Sequence, residues 1–182
     1  MVFLLLLIIL LIVLFVTIGI YNNLIGMKNR VENAWHQIDV QLKRRIDLIP
    51  NLVETVKGYA AHEKETFAKI TEARSQLMQG GSVAEQAKAE GALSGALKSL
   101  FAVAEAYPEL KANQNFLMLQ EELAGTENKV SYARQFYNDS VMQYNTAIEQ
   151  FPGNFLAGMM GLRPKEYFEV QEVDRAVPQV KF

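Results

Sequence analysis

The chain has no cysteine among its 182 residues, which rules out disulfides and thiolate metal sites. It has no charged residue before Lys28 and only two histidines, His36 and His62. Neither sign of charge dominates, since 18 Lys and Arg stand against 20 Asp and Glu. A nucleic-acid surface needs a clearly basic balance, so no nucleic-acid partner is expected. There is no G-x-x-x-x-G-K-[ST] loop, no G-x-G-x-x-G after a strand and no serine in a nucleophile elbow. His62-Glu63-Lys64-Glu65-Thr66 opens like the zinc motif H-E-x-x-H, but Thr66 stands where a second histidine must share the metal. That stretch reads as a solvated helix face. No metal, cofactor or catalytic residue is expected, and the protein reads as no enzyme.

What is present begins with the N-terminal run. From Val2 to Ile20 only Thr17 and Gly19 interrupt the apolar residues. At ~1.5 Å per residue such a helix reaches just under the ~30 Å of a bilayer's hydrocarbon core. A secretory signal peptide would carry a basic start and a small-residue cleavage site, and neither is there. Residues 2–20 therefore read as an uncleaved anchor whose partner is the lipid bilayer. Basic residues lie on one side only, at Lys28, Arg30, Lys43, Arg44 and Arg45. Such a bias retains its flank in the cytoplasm, so the N-terminus is expected outside and the body inside.

The rest reads as helix. Val31, Trp35, Ile38, Leu42, Ile46, Ile49, Val53 and Val56, then Phe67, Ile70 and Leu77, step mostly by three and four, the signature of one buried face. Pro50 falls inside this run and predicts a bend that leaves a carbonyl near Ile46 free for a polar neighbour. Gly80-Gly81 ends it. Ser82-Val83-Ala84-Glu85 is a capping box that starts a second helix, buried through Val83, Leu93, Leu97, Leu100 and Ala104. Gly91 and Gly95 on it suggest close packing of helices. Tyr107-Pro108 stops it. The third stripe is the cleanest: Phe116, Leu119, Leu123, Thr126, Val130, Ala133, Tyr137, Val141, Tyr144 and Ile148. Phe151-Pro152-Gly153 closes it, and Asn154 is placed to cap a short apolar helix before Gly161. The aromatic residues Tyr132, Phe136, Tyr137, Tyr144, Phe151 and Phe155 lack interleaved basic residues and read as core, and Met159-Met160 as core or hinge filler.

The expected fold is all-α: an N-terminal transmembrane helix continuing into an elongated antiparallel bundle of three long helices plus a short fourth, then an extended tail. The expected divisions are an anchor over 1–27, a bundle over 28–162 and a tail over 163–182. The helices are expected near 28–79, 82–106, 110–150 and 154–160.

Residues Ala34 to Arg45, AWHQIDVQLKRR, followed by Asp47-Leu48-Ile49-Pro50-Asn51-Leu52-Val53, resemble the LemA family of bacterial membrane proteins. Tyr107 to Ala112, with Asn115-Phe116 through Glu121-Glu122-Leu123, is similar to its second signature. Tyr144-Asn145 with Phe151-Pro152 and Gly161 is similar to its third. The resemblance implies a single span, a helical bundle and a cytoplasmic body at the bacterial inner membrane. It implies no reaction, and its magnetosome-associated members point toward membrane organisation.

Two functional readings follow. The first is a membrane-anchored, non-enzymatic interaction or scaffold protein, with a membrane or cytoplasmic protein partner or a second copy of itself. The alternative is an enzyme, or an enzyme's obligate subunit, with a polar site near Pro50. Both draw on Asp39, Lys43, Arg44, Arg45, Asp47, Pro50 and Asn51. Asp39 and Lys43 are an i, i+4 pair of opposite sign; the group reads either as such pairing, or a bridge to a neighbouring helix, or as a docking surface next to the bend at Pro50. A concave convergence of Asp39, Arg44, Arg45 and Asp47 would favour an enzyme. A convex arrangement would favour a scaffold.

Overall fold

The computed structural model describes residues 1–169, and among these every regular element is an α-helix. In chain order they are α1 (Val2–Lys57), α2 (Lys64–Met78), α3 (Val83–Glu105), α4 (Pro108–Lys111), α5 (Gln114–Glu149) and α6 (Gly153–Met159). The first part of α1 is the apolar run, whose large side chains from Val2 to Val16 are all exposed. A core helix of the same composition would be covered by the rest of the chain. The Thr17 hydroxyl inside the run donates to the Val13 carbonyl at 2.8 Å, so its polarity is satisfied within the helix.

The helix expected over 28–79 is two helices. α1 runs through Pro50 to Lys57, and residues 58–63 form a turn before α2. The stripe itself carried the warning, because its apolar steps lapse between Val56 and Phe67. His62 accordingly lies in this turn, exposed, rather than on a helix face. Among the described residues no cluster of three His, Cys, Asp or Glu side chains could hold a metal.

The helix expected over 110–150 is also divided. Asn113 ends the α4 turn and caps α5, its Oδ1 accepting from the amides of Asn115 at 2.9 Å and Phe116 at 3.1 Å. At α3 the capping box is present: Ser82 Oγ accepts from the Glu85 amide, and the Ser82 amide donates to Glu85 Oε2 at 2.8 Å. These bonds hold the Glu85 carboxyl below its ordinary pKa. Gly80 and Gly81 precede it with φ of 68° and 132°, conformations that side chains rarely adopt. Gly91 and Gly95 are exposed, and a Cβ at either would meet nothing within 4 Å, so they are not sites of close helix packing. Asn154 caps nothing; α6 begins one residue earlier, at Gly153, and Asn154 donates its amide to the Gln150 carbonyl.

The chain forms two compact units. The first comprises Met1–His36 and Gln135–Glu166. Its core takes Leu24, Val31 and Ala34 from α1, Tyr137, Val141, Tyr144 and Ile148 from α5, and Ala157 from α6. The Trp35 and Tyr137 rings lie 5.4 Å apart, and Arg30 donates to Gln143 at 3.3 Å. The second comprises Gln37–Arg134 and, among the described residues, 167–169. There α2 packs on α3, and Leu42, Ile49, Ile70, Leu93, Leu100 and Leu110 are almost fully buried. Each such side chain contributes roughly 1.5–3 kcal/mol by leaving water, far more than intrinsic helix propensity supplies. All ten residues of the third stripe are buried. Residues 162–169 carry neither helix nor strand, and the part of the expected tail from Val170 onward lies outside the described residues.

Candidate functional site

Six of the seven residues singled out around Pro50 are exposed along α1: Asp39, Lys43, Arg44, Asp47, Pro50 and Asn51. The seventh, Arg45, is buried to 4% exposure and does not belong to that surface. The correction has a simple cause. Arg45 sits one position before Ile46 on the helix, at the edge of the face that Leu42, Ile46 and Ile49 bury. Two carboxylates and a hydroxyl from other helices are there to receive it. Asp39 and Lys43 form no ion pair with each other among the described residues, so the expected helical pairing is not made.

Arg45 centres a buried polar network. Its Nη1 donates to Glu90 Oε1 at 2.9 Å, and its Nη2 donates to Ser94 Oγ at 3.0 Å and pairs with Glu127. Glu90, itself 3% exposed, accepts at its other oxygen from Arg134 Nη1 at 3.2 Å and also from the Ser94 hydroxyl. Arg134 in turn stands over the Phe168 ring, 5.2 Å from its centroid. Two arginines and two glutamates thus balance in charge, and α1, α3 and α5 are joined through ions that would each be costly alone. Sequence reasoning missed Glu90, Ser94, Glu127 and Arg134. One signal was available: Glu90 interrupts a small, Ala-rich face where a charge needs a partner to be buried.

Beside the network lies a cavity of about 270 Å³, lined by Arg45, Ser94, Leu97, Phe101, Leu123 and Glu127 among others. Neither Asp39, Arg44 nor Asp47 reaches it. Of the polar group of α1, Arg45 alone lines this cavity.

The carbonyl freed by Pro50 does find its polar neighbour. A proline lacks the amide that would bond the residue four before it, here Ile46. Arg74 of α2 supplies the donor, its Nε reaching the Ile46 carbonyl at 3.2 Å. Arg74→Ala is therefore expected to cost about 1 kcal/mol, the worth of one such bond, in the natural chain. In a Pro50→Ala background the helix supplies its own amide, and the cost of removing Arg74 should shrink toward zero. Urea unfolding of the four variants measures this coupling, and equal losses in both backgrounds would refute it.

In the first unit, one face of α5 holds the segment that follows α6. Tyr137 donates its hydroxyl to the Glu166 carbonyl at 2.9 Å, and Tyr144 donates to that of Arg163 at 3.2 Å. Asn145 makes a two-point pairing with Lys165, donating to its carbonyl at 3.0 Å and accepting from its amide at 2.8 Å. Residues 137, 144 and 145 lie two turns apart on one face, so a single helix side binds 163–166 as a strap. Burial, then the neighbouring Glu166 carboxylate, raises the Tyr137 phenol above its ordinary pKa; burial, then Glu32, does the same for Tyr144. The tyrosines had read as core alone. Their hydroxyls also carry backbone acceptors, which apolar periodicity cannot reveal.

Comparison with known proteins matches this architecture to one family. The LemA family model covers residues 34–182. Protein LemA of Metamycoplasma hominis is 30% identical over 165 residues, 88% of this chain and 74% of that protein. Magnetosome protein MamQ 2 of Paramagnetospirillum magneticum is 26% identical over 175 residues, 82% of this chain and 64% of the relative. Magnetosome protein MamQ of Magnetospirillum gryphiswaldense is 25% identical over 174 residues, 81% and 64% of the two chains. With the family model covering residues 34–182 and the relatives aligning over most of the length, the chain belongs to the LemA family.

Proposed function

We propose that this protein is a membrane-anchored, non-enzymatic interaction or scaffold protein of the bacterial inner membrane. One observation carries the reading. The apolar run is uncovered on all sides, while the same helix further on exposes Asp39, Lys43, Arg44, Asp47, Pro50 and Asn51. An apolar surface of that size needs lipid, and a polar helix face bearing both signs of charge suits a protein partner. Residues 2–20 span the bilayer once, with the N-terminus outside and the antiparallel helical bundle in the cytoplasm.

The enzyme alternative is weaker on chemical grounds. Of the residues singled out around Pro50, only Arg45 lines the cavity, and its guanidinium is engaged by Glu90, Ser94 and Glu127. It offers no free acid, base or nucleophile. Crosslinking from Lys43 in native membranes, read by mass spectrometry, tests the proposal. A specific protein or a second copy should be captured, and Asp39→Lys with Asp47→Lys should abolish the capture. An unchanged crosslink pattern in that variant would remove the α1 face from the interaction. Protease added to intact spheroplasts should leave the body whole, and its digestion would reverse the orientation.

A further inference from the structure

α6 is built inside out for a helix in water. The residues it buries, Gly153 and Ala157, are small, while Phe155 is 71% and Met159 is 73% exposed. Phe151, just before it, is 86% exposed. Phe155 and Met159 lie four apart on α6 and so share its outer face, and the exposed Phe151 stands just before it. No charge occurs from Phe151 to Leu162, and Arg163 and Lys165 follow at once.

The position of this face along α1 can be read from the contacts of the first unit. Trp35 meets Tyr137 and Arg30 meets Gln143, so α5 advances as α1 is followed back toward its start. Continued at the same register, Ile148 comes level with Leu24, and both are buried. Phe151 then comes level with Tyr21, the residue that follows the apolar run. α5 thus ends beside the uncharged segment, and α6 follows there with Phe155 and Met159 exposed.

We infer that α6 is a second bilayer contact, an interfacial helix that lays Phe151, Phe155 and Met159 into the boundary between headgroups and acyl chains beside the anchor. Lipid is favoured over a protein occupant because the exposed apolar side chains begin at Phe151, level with Tyr21, directly after the apolar run. Arg163 and Lys165 stand where basic side chains meet anionic headgroups. The contact keeps the first unit seated against the membrane rather than swinging on one span. This inference rests on the reading of residues 2–20 as a bilayer span.

The cysteine-free chain allows a direct test. Full-length protein carrying a single Val13→Cys, Phe155→Cys, Met159→Cys or Tyr132→Cys is labelled with an environment-sensitive fluorophore. Each is reconstituted in phosphatidylcholine–phosphatidylglycerol vesicles with brominated acyl chains. All four sites are exposed side chains, so the fold should survive, and circular dichroism checks that it has. Labels at Phe155 and Met159 should be quenched by bromolipid, at a depth of about 5–10 Å, and shielded from aqueous iodide. The label at Tyr132 should show the reverse. Iodide access at Phe155 and Met159 equal to that at Tyr132, with the Val13 label quenched by bromolipid, would overturn the inference and leave the anchor intact. Loss of bromolipid quenching at Val13 would overturn the anchor itself. Shielding from iodide without bromolipid quenching would assign the face to a protein and also overturn the inference.

Discussion

Replacing Glu90 by alanine is expected to cost roughly 3–5 kcal/mol of unfolding free energy, the loss typical when one member of a buried ion network is removed. Glu90 accepts from Arg45 at one oxygen and Arg134 at the other, and it is almost fully excluded from water. Without it, Arg45 retains Glu127, but the pair of cations loses its shared anion. A surface pair provides the comparison. Glu54 and Lys57 are 2.9 Å apart with Glu54 73% exposed, and Glu54→Ala should cost less than about 1 kcal/mol. Urea unfolding of the full chain in detergent, followed by circular dichroism, separates the two. Equal shifts in the midpoint would mean that the network contributes no more than an exposed pair.

The second large effect is expected at Gly153. A Cβ there would lie 2.2 Å from the Ala147 carbonyl oxygen, which belongs to helical backbone and cannot swing aside. Gly153→Ala should therefore displace α6 from the end of α5 and destabilise the first unit by roughly 1–3 kcal/mol, as overpacking commonly does. Gly158, on the same helix, has nothing within 4 Å of its own would-be Cβ. Gly158→Ala should be neutral or slightly stabilising, because alanine loses less backbone freedom in a helix. Two identical substitutions five residues apart are thus expected to act with opposite sign. Thermal melts in which both variants behave alike would refute the close approach at Gly153.

The parts of the fold legible in the sequence were those that repeat or act locally. The α5 stripe was read in full because every third or fourth residue answers to one buried face. The Ser82–Glu85 capping box and the carbonyl left open by Pro50 were legible because both follow from backbone chemistry within a single turn. The partner of that carbonyl, Arg74, was not, since it arrives from another helix. Arg45 was misplaced for the same reason. A bridge to a neighbouring helix was open for this group, but nothing in the sequence tells which of its charges Glu90 and Glu127 come to across the fold. Asn113 and Asn145 were overlooked because a side-chain amide acting as a cap or a strap holder leaves no periodic trace. The turn at 58–63 was read as helix although the apolar steps had lapsed there.

The make-up of the two units bears on how the protein is born. The second unit draws almost entirely on the unbroken stretch Gln37–Arg134, whereas the first joins Met1–His36 to Gln135–Glu166. A ribosome delivers these halves of the first unit with roughly 100 residues between them, an interval of roughly 5–20 s at ordinary rates of synthesis. During that interval Leu24, Val31 and Ala34 have no α5 to cover them, and the apolar run must already be lodged in lipid or held by a chaperone. The strap of residues 163–166 emerges after α5 and α6 and fastens onto Tyr137, Tyr144 and Asn145. Chain termination upstream of it would release a product whose first unit lacks its strap and whose second lacks Phe168, the ring that Arg134 covers.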